Sequence, residues 1–119
     1  MLVTIVALSG LAALGGCDRP IFNMSKLPKV RAEALALMRT HPVEAQASGR
    51  DVPRAEWPPT IASLNPQWVA VRHGSVDIET RTFFDGGWGY NVPRSERYLS
   101  MPKRCYSEVS EGVFWHDPC

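Results

Sequence analysis

The sequence predicts an α+β domain in which an N-terminal helix and a short helix pack on an antiparallel sheet of about four or five strands. Apolar residues recur at helical spacing early in the chain, and alternating runs joined by glycine-containing turns follow. Of the eleven Trp, Tyr and Phe residues, only Phe22 precedes Trp57, so the core is expected mainly from the second half. Because the strands follow the helices instead of alternating with them, the order indicates an α+β fold.

The first helix is predicted from four apolar residues spaced three, four and three positions apart, which is the helical period. These residues are Leu27, Val30, Ala34 and Leu37. Ser25 is the expected N-cap, and Pro28 lies in the first turn, where its missing N–H costs nothing. Pro42 disfavours the helical conformation at His41, so the helix should end near Thr40.

A second, short helix is predicted between Pro58-Pro59 and Asn65-Pro66. The first proline pair pre-sets the start of the helix, and the residue before Pro66 is driven out of the helical conformation. Residues 43–54, which join the two helices, are polar and small. They predict a loop or a weak helical turn.

Alternation of apolar and polar residues predicts strands from residue 69 onward. Val69 and Val71 share one face of a strand, and Val76 and Ile78 share one face of the next, across a turn at 73–74. Two such runs joined through a glycine indicate a β-hairpin. The further expected elements are a turn at 85–87, a strand at 88–92, a loop at 94–102 and a hairpin of strands 105–109 and 113–116.

The N-terminus carries the most specific motif in the chain. An apolar run over residues 2–13 precedes Leu14-Gly15-Gly16-Cys17. This motif resembles the lipobox of bacterial lipoprotein signal peptides, in which a Leu, two small residues and a Cys mark the site of cleavage and lipid attachment. The resemblance implies a signal peptide over residues 1–16, a lipid-anchored tether over 17–24 and a single small α+β domain over 25–119.

The lipobox resemblance also implies a location. Lipid on Cys17 would attach the protein to a membrane of the bacterial cell envelope, on the periplasmic side, and Asp18 weakly favours the inner membrane. The chain departs from the usual pattern because no Lys or Arg precedes Arg19, whereas signal peptides normally begin with a positive region. The alternatives are a plain secretory signal, a transmembrane anchor and a buried helix. The run is short for a span of about 18 residues, and Gly15-Gly16 would weaken a helix.

The cysteine count fits an exported protein. Lipid on Cys17 leaves Cys105 and Cys119 as a pair, which should form a disulfide in an oxidising envelope. Two free buried thiols and an intermolecular bond through Cys119 are the alternatives. A zinc site is disfavoured because no further Cys or His lies at ligand spacing near either residue.

The net charge argues against nucleic acid as a partner. The chain has 13 basic and 12 acidic residues, for a formal net charge of +1. Such a balance produces no long-range field that would gather a polyanion. An exported protein also rarely meets nucleic acid, so both observations exclude this class.

Candidate ligand contacts come from the aromatic residues. The glycines around Trp88 could expose its ring for stacking, or form a turn and a β-bulge that places the ring in the core. Because one helix layer covers only one face of a sheet, at least one ring among Trp57, Trp68 and Trp88 is expected at the surface and able to contact a ligand. The candidate ligand contacts are Trp57, Trp88 and Tyr90.

The ionisable residues predict neither catalysis nor metal binding. Asp77 and Glu79 share one strand face, which is expected to face solvent with Arg72 and Arg81 nearby in cross-strand ion pairs. His116 precedes a carboxylate, but no nucleophile or oxyanion motif accompanies it, so it is expected to be a surface histidine. The three histidines are isolated in sequence, and no cofactor is expected.

A second resemblance adds no activity. Residues 57–71 follow the pattern W-P-P-x-I-x-x-L-x-P-x-x-V-x-V, which is similar to one found in small exported bacterial proteins of unknown function and covers about half of the mature chain. The sequence therefore predicts a lipid-anchored envelope protein that is not an enzyme and has a binding or interaction role, toward another envelope protein or cell-wall material. The alternative is a periplasmic inhibitor or immunity-type lipoprotein that blocks a toxin or lytic enzyme.

Overall fold

The computed structural model describes residues 24–83 and 86–119. The predicted signal peptide, Cys17 and the tether up to residue 23 lie outside this range. A helix long and apolar enough to cross a membrane is not found among the described residues. Two α-helices, α1 (Leu27–Thr40) and α2 (Pro59–Ser63), accompany six strands. The strands are β1 (Arg50–Asp51), β2 (Trp68–Arg72), β3 (Ser75–Phe83), β4 (Gly86–Pro93), β5 (Tyr106–Ser110) and β6 (Val113–His116).

The strands form one antiparallel sheet in the order β1-β2-β3-β4-β6-β5. The predicted α+β class is confirmed, with slightly more strands than expected. The additional strand is β1, which lies in the segment predicted to be a loop. Two polar residues carry no alternation that a sequence pattern could reveal, and β1 forms only because Arg50 and Asp51 pair with the edge of β2.

Helix α1 covers one face of the sheet. Its four predicted apolar residues are all buried, and its end at Thr40 is confirmed by a hydrogen bond from the His41 N–H to the Leu37 carbonyl. The predicted N-cap is wrong: Ser25 belongs to a 3₁₀ turn at Met24–Lys26, and Lys26 immediately precedes the helix. The turn and the helix are continuous, so the chain has no extended residue there for a capping side chain.

Glu33 joins the two helices. Its carboxylate accepts hydrogen bonds from the Thr60 N–H at 3.1 Å and the Ile61 N–H at 2.9 Å. Pro58 and Pro59 lack an N–H, so Thr60 and Ile61 supply the first free donors of α2. The short helix therefore depends on a side chain from the long one.

The hydrophobic core lies between α1 and the sheet. In register, Val71 pairs with Val76 and Tyr90 pairs with Trp115, and each pair shares the face covered by the helix. The remaining large contributors are Val52, Ile61, Val69, Ile78, Val92 and Val113. The alternation predicted from the sequence is thus present on this face.

The other face of the sheet is not open to solvent as predicted. Asp77 is 7% exposed and Glu79 is 6% exposed. The segment between β4 and β5 crosses this face: the Arg94 N–H donates to the Gly74 carbonyl, and Asn91 donates to the hydroxyl of Ser100. The connection between β4 and β5 therefore buries residues that the alternation alone predicted to face solvent.

Candidate functional site

A cleft of about 240 Å³ lies on the sheet face opposite α1, and we call it the polar-face cleft. Its walls include Trp68, Asp77, Glu79, Met101, Tyr106 and His116. Wider depressions of about 450 and 510 Å³ lie elsewhere, beside Arg39 and beside Asp51. Neither depression is lined by the buried residues Asp77, Glu79 and His116, whereas the polar-face cleft is lined by all three.

One row of residues across the sheet organises this cleft. Trp68 on β2 pairs with Glu79 on β3, which pairs with Gly89 on β4. Gly89 pairs with His116 on β6, which pairs with Tyr106 on β5. Residues paired in register point to the same face. Because Gly89 has no side chain, Glu79 and His116 face each other above it, with an aromatic ring beyond each.

Asp77 forms a fully paired cluster beside this row. Arg72 Nε donates a hydrogen bond to Oδ2 of this carboxylate, and Asn91 Nδ2 donates one to Oδ1 at 2.5 Å. Arg72 also donates to the Ser48 carbonyl at 2.9 Å. The predicted ion pair between Arg72 and Asp77 is therefore present, although its carboxylate is buried while the Arg72 side chain stays partly exposed. Its charges largely cancel and hold the neighbouring strands together.

Glu79 is buried without such partners. None of the described residues donates a hydrogen bond to its carboxylate, and the nearest oppositely ionisable atom is His116 Nε2, 3.9 Å from Oε2. Burial, and then repulsion by Asp77, raise the pKa of Glu79 to about 7, against a smaller lowering by Arg72. Near neutral pH this carboxyl group therefore exists in both charged and neutral forms.

His116 faces Glu79 across Gly89, with Nε2 3.9 Å from Oε2. It is 6% exposed, so the expected surface histidine is wrong: the connection between β4 and β5 and the Tyr106 ring enclose it. Its Nδ1 lies 3.3 Å from the Asp117 carbonyl, which only accepts, so Nδ1 carries hydrogen. Nε2 is then the ring nitrogen that faces Glu79.

Tyr106 and Gly87 complete the walls around this pair. The Tyr106 hydroxyl accepts a hydrogen bond from the Met101 N–H at 3.2 Å, and burial raises its pKa, with repulsion by Asp77 adding to the effect. A Cβ on Gly87 would lie 2.3 Å from Glu79 Oε1 and 2.2 Å from the Arg81 carbonyl. This glycine therefore leaves the space that the Glu79 carboxylate occupies.

The aromatic residues predicted to contact a ligand do not line the cleft. Tyr90 is 3% exposed and packs edge-on against Trp115 in the core, so its ring does not face the cleft. Burial raises the pKa of its hydroxyl. The physical reason is its position on β4. Tyr90 lies two residues before Val92, so both side chains point to the face covered by α1.

Trp57 and Trp88 are half-buried against the hydrophobic core, outside the cleft. The Trp57 indole N–H donates to the Val52 carbonyl at 2.9 Å, and the Arg54 guanidinium lies over its ring. The Arg81 guanidinium lies 3.9 Å from the centre of the Trp88 ring. The indole that does line the cleft is Trp68, which the sequence included only among three rings expected at the surface.

The predicted disulfide is present. Cys105 and Cys119 are bonded, with their Cα atoms 5.8 Å apart and a sequence separation of 14. Cys105 immediately precedes β5 and follows the segment that covers the polar face, and Cys119 lines the cleft. The bond therefore fixes one wall of the cleft as well as the last hairpin.

The described residues hold no group of three His, Cys, Asp or Glu side chains able to bind a metal ion. The chemistry available in the cleft is thus that of carboxyl, imidazole, phenol and indole groups. Comparison of the chain with protein-family models, curated proteins and solved structures found no match.

Proposed function

We propose that this protein is a lipid-anchored component of the bacterial envelope that binds a ligand in the polar-face cleft and does not catalyse a reaction. The observation that carries the proposal is Glu79, a buried carboxyl group that faces the cleft without a hydrogen-bond donor from the described residues. Leu14-Gly15-Gly16-Cys17, with its resemblance to the lipobox, supports the anchoring.

Burying Glu79 in this way does not help the fold. An unpaired buried carboxyl group costs several kcal/mol relative to an apolar residue of similar size, or loses its charge. Groups held in such an environment beside a cleft are typical of functional sites. A ligand that donates a hydrogen bond to Glu79 would recover part of that cost and gain affinity from it.

The size of the cleft indicates what part of a ligand it accepts. Pockets that enclose whole drug-sized molecules measure about 300–1,000 Å³, and this cleft measures about 240 Å³. It therefore suits one small chemical group, either a free molecule or the end of a larger one. Cell-wall material and another envelope protein both present such ends on the periplasmic side.

The hydrogen bonds of the site support binding instead of catalysis. Among the described residues, neither a hydroxyl nor a thiol donates to His116 or Glu79. The Ser100 hydroxyl accepts from Asn91 instead. A base without a nucleophile beside it lacks the arrangement required for covalent hydrolysis.

Site-specific photocrosslinking in the native envelope tests the binding proposal. A photoreactive side chain at Met101, on the cleft wall, should yield one discrete adduct, which mass spectrometry of the full-length protein measures. The matched control is the same group at Lys29, on the exposed side of α1, which should yield no such adduct. Identical adducts at both positions, or none at either, would contradict the proposal. A periplasmic enzyme captured from both would favour the inhibitor alternative.

Replacing Cys17 tests the anchoring. Cys17→Ser should move the protein from the detergent-soluble membrane fraction to the aqueous fraction and remove the mass of the lipid. Each buried CH₂ contributes about 0.8 kcal/mol, and several acyl chains together give stable attachment. The control is Ser25→Ala, eight residues further along. An unchanged fraction and intact mass for Cys17→Ser would mean that the N-terminal motif has another role.

A further inference from the structure

We propose that the polar-face cleft recognises an organic cation bearing an ammonium group, which binds between the carboxylate of Glu79 and the rings of Trp68 and Tyr106. This inference rests on the proposed function, because it names the ligand class of the same cleft.

The unpaired charge in the cleft is negative. Asp77 is neutralised by Arg72, whose guanidinium is committed to Asp77 and to the Ser48 carbonyl. Asp117 lies at the rim and is exposed. Glu79 faces the cleft with neither a cation nor a donor closer than His116 Nε2 at 3.9 Å. A ligand that brings positive charge and N–H donors matches this environment, whereas an anion would face two carboxylates.

The rings on either side favour a cation of the organic kind. Trp68 lies next to Glu79 in register, and Tyr106 lies next to His116. The face of an indole or phenol ring attracts an ammonium group through the negative potential of the ring face. A metal ion is the less suitable cation, since the described residues lack a group of three metal-binding side chains.

Recognition of a cation by this pair depends on pH. The charged or titratable groups facing Glu79 are Arg72 from β2, Asp77 from its own strand, Tyr106 from β5, and His116 and Asp117 at the end of β6. Of these, His116 is the closest, with Nε2 3.9 Å from Glu79 Oε2. A proton on Glu79 removes the negative charge that would attract the cation, so protonation of this carboxyl group opposes binding.

The sign of the pH dependence follows from the pKa of about 7 for Glu79. Above pH 7 the carboxylate is ionised and ready to bind, and below pH 7 the competent fraction falls about tenfold for each pH unit. The apparent Kd rises by the same factor. A primary alkylamine stays protonated over this range because its pKa is close to that of Lys, about 10.4.

Titration of the full-length protein in mild non-ionic detergent, followed by ¹H–¹⁵N correlation spectra, tests the inference with three matched probes. The probes are n-butylammonium, neutral n-butanol and anionic butyrate. We expect n-butylammonium to shift the amide signals of Glu79, Gly87 and His116 at pH 8, with at least tenfold weaker binding at pH 6. The two other probes should bind at least tenfold more weakly at pH 8.

Two variants separate charge recognition from structure. Glu79→Gln keeps the size of the side chain, and it should weaken n-butylammonium binding at least tenfold at pH 8 and abolish its pH dependence. Glu111→Gln removes an exposed carboxylate from the turn between β5 and β6. It should change neither the affinity for n-butylammonium nor the pH dependence of that affinity. The spectrum of each variant without probe reports whether it is folded.

The outcomes distinguish this inference from the proposed function. If n-butanol or butyrate binds the cleft as tightly as n-butylammonium, the cation assignment is overturned while the cleft remains a binding site. If Glu79→Gln binds n-butylammonium normally at pH 8, the assignment is overturned as well. If none of the probes shifts the cleft signals, the cation assignment fails, and the proposed function then depends on the Met101 photocrosslinking result alone.

Discussion

The two faces of the sheet bury their residues to a similar degree but with opposite chemistry. Toward α1, Val71 and Ile78 are essentially inaccessible to solvent and belong to the hydrophobic core. Toward the cleft, Asp77, Glu79 and His116 are also buried, yet all three are ionisable. The same period-two alternation of β3 supplies residues to both faces.

The difference between the faces lies in what covers them. Helix α1 satisfies its own backbone hydrogen bonds and offers the sheet an apolar stripe. The segment between β4 and β5 is irregular, and it offers the Ser100 hydroxyl and the backbone of Met101, which pair with Asn91 and Tyr106. A helix therefore selects apolar partners, whereas an irregular connection can enclose polar ones and leave a cleft between them.

The largest effect is expected from a truncation on the helix face. Ile78→Ala should lower the free energy of unfolding by about 3 kcal/mol, because it removes buried carbons and leaves a cavity in a close-packed core. Ile78→Val, the matched smaller change, should cost about 1 kcal/mol. Urea denaturation measures both. Equal stability of the two variants would mean that this face is not the tightly packed core described above.

The disulfide provides the next largest effect, on the cleft face. Replacing Cys105 and Cys119 together with Ser should lower the free energy of unfolding by about 3 kcal/mol in the chain-entropy model for a loop of this size. Urea denaturation measures the loss, and thiol counting on the native protein provides the control. The native chain should be a monomer with neither thiol titratable; a reducible dimer would indicate an intermolecular bond through Cys119.

Glu79 provides a smaller effect whose size depends on pH. Its pKa is about 7 in the folded protein against an ordinary 4.5, so the folded state binds the proton more tightly. The resulting stabilisation is present below pH 4.5 and is lost as pH rises through 7. Glu79→Gln should therefore be more stable than the native protein by about 2 kcal/mol at pH 8, and the difference should be much smaller at pH 5.

Urea denaturation of the native protein, Glu79→Gln and Glu111→Gln at pH 5 and pH 8 measures this dependence. Comparing variants at each pH cancels the titration of all other groups. Glu111→Gln should follow the native protein at both values, since this residue is exposed. A Glu79→Gln variant that is less stable than the native protein at pH 8 would show that Glu79 has a stabilising partner in its ionised form.

The smallest effect concerns the tryptophan fluorescence. At pH 8, n-butylammonium should protect part of the emission from quenching by acrylamide, because Trp68 lines the cleft while Trp57 and Trp88 pack against the core. Trp68→Phe should remove this protection, and Trp88→Phe should keep it. Protection that disappears with Trp88→Phe instead would place the ligand outside the cleft.

Much of the fold was predictable because local patterns carry it. The positions of Leu27 to Leu37 fixed the buried face of α1, and the prolines bounded α2. The alternation from Val69 onward predicted the central hairpin, and the two cysteines outside the N-terminal motif predicted the disulfide. Strand β1 was not predictable, because its two polar residues become a strand only through pairing with β2.

The candidate site was the least predictable part. Glu79 and His116 are 37 residues apart in sequence, and their proximity depends on the register of β3, β4 and β6 across Gly89. The glycines around Trp88 drew attention to that indole, whereas their structural role is to leave room beside Glu79 and beneath the cleft. The one available signal was the alternation along β4. Trp88 and Tyr90 are an even number of residues from Val92, so all three side chains point to the core face.

The sequence by itself determined which residues alternate, where the first helix ends, and that Cys105 and Cys119 pair near the C-terminus. These are local properties, set by backbone geometry and by the period of a strand or helix. Only the tertiary structure decided that the polar side of β3 is buried and that Glu79 meets His116. Burial of a strand face depends on which distant segment crosses it, and a contact across three strands depends on register, so neither is encoded in any single window of residues.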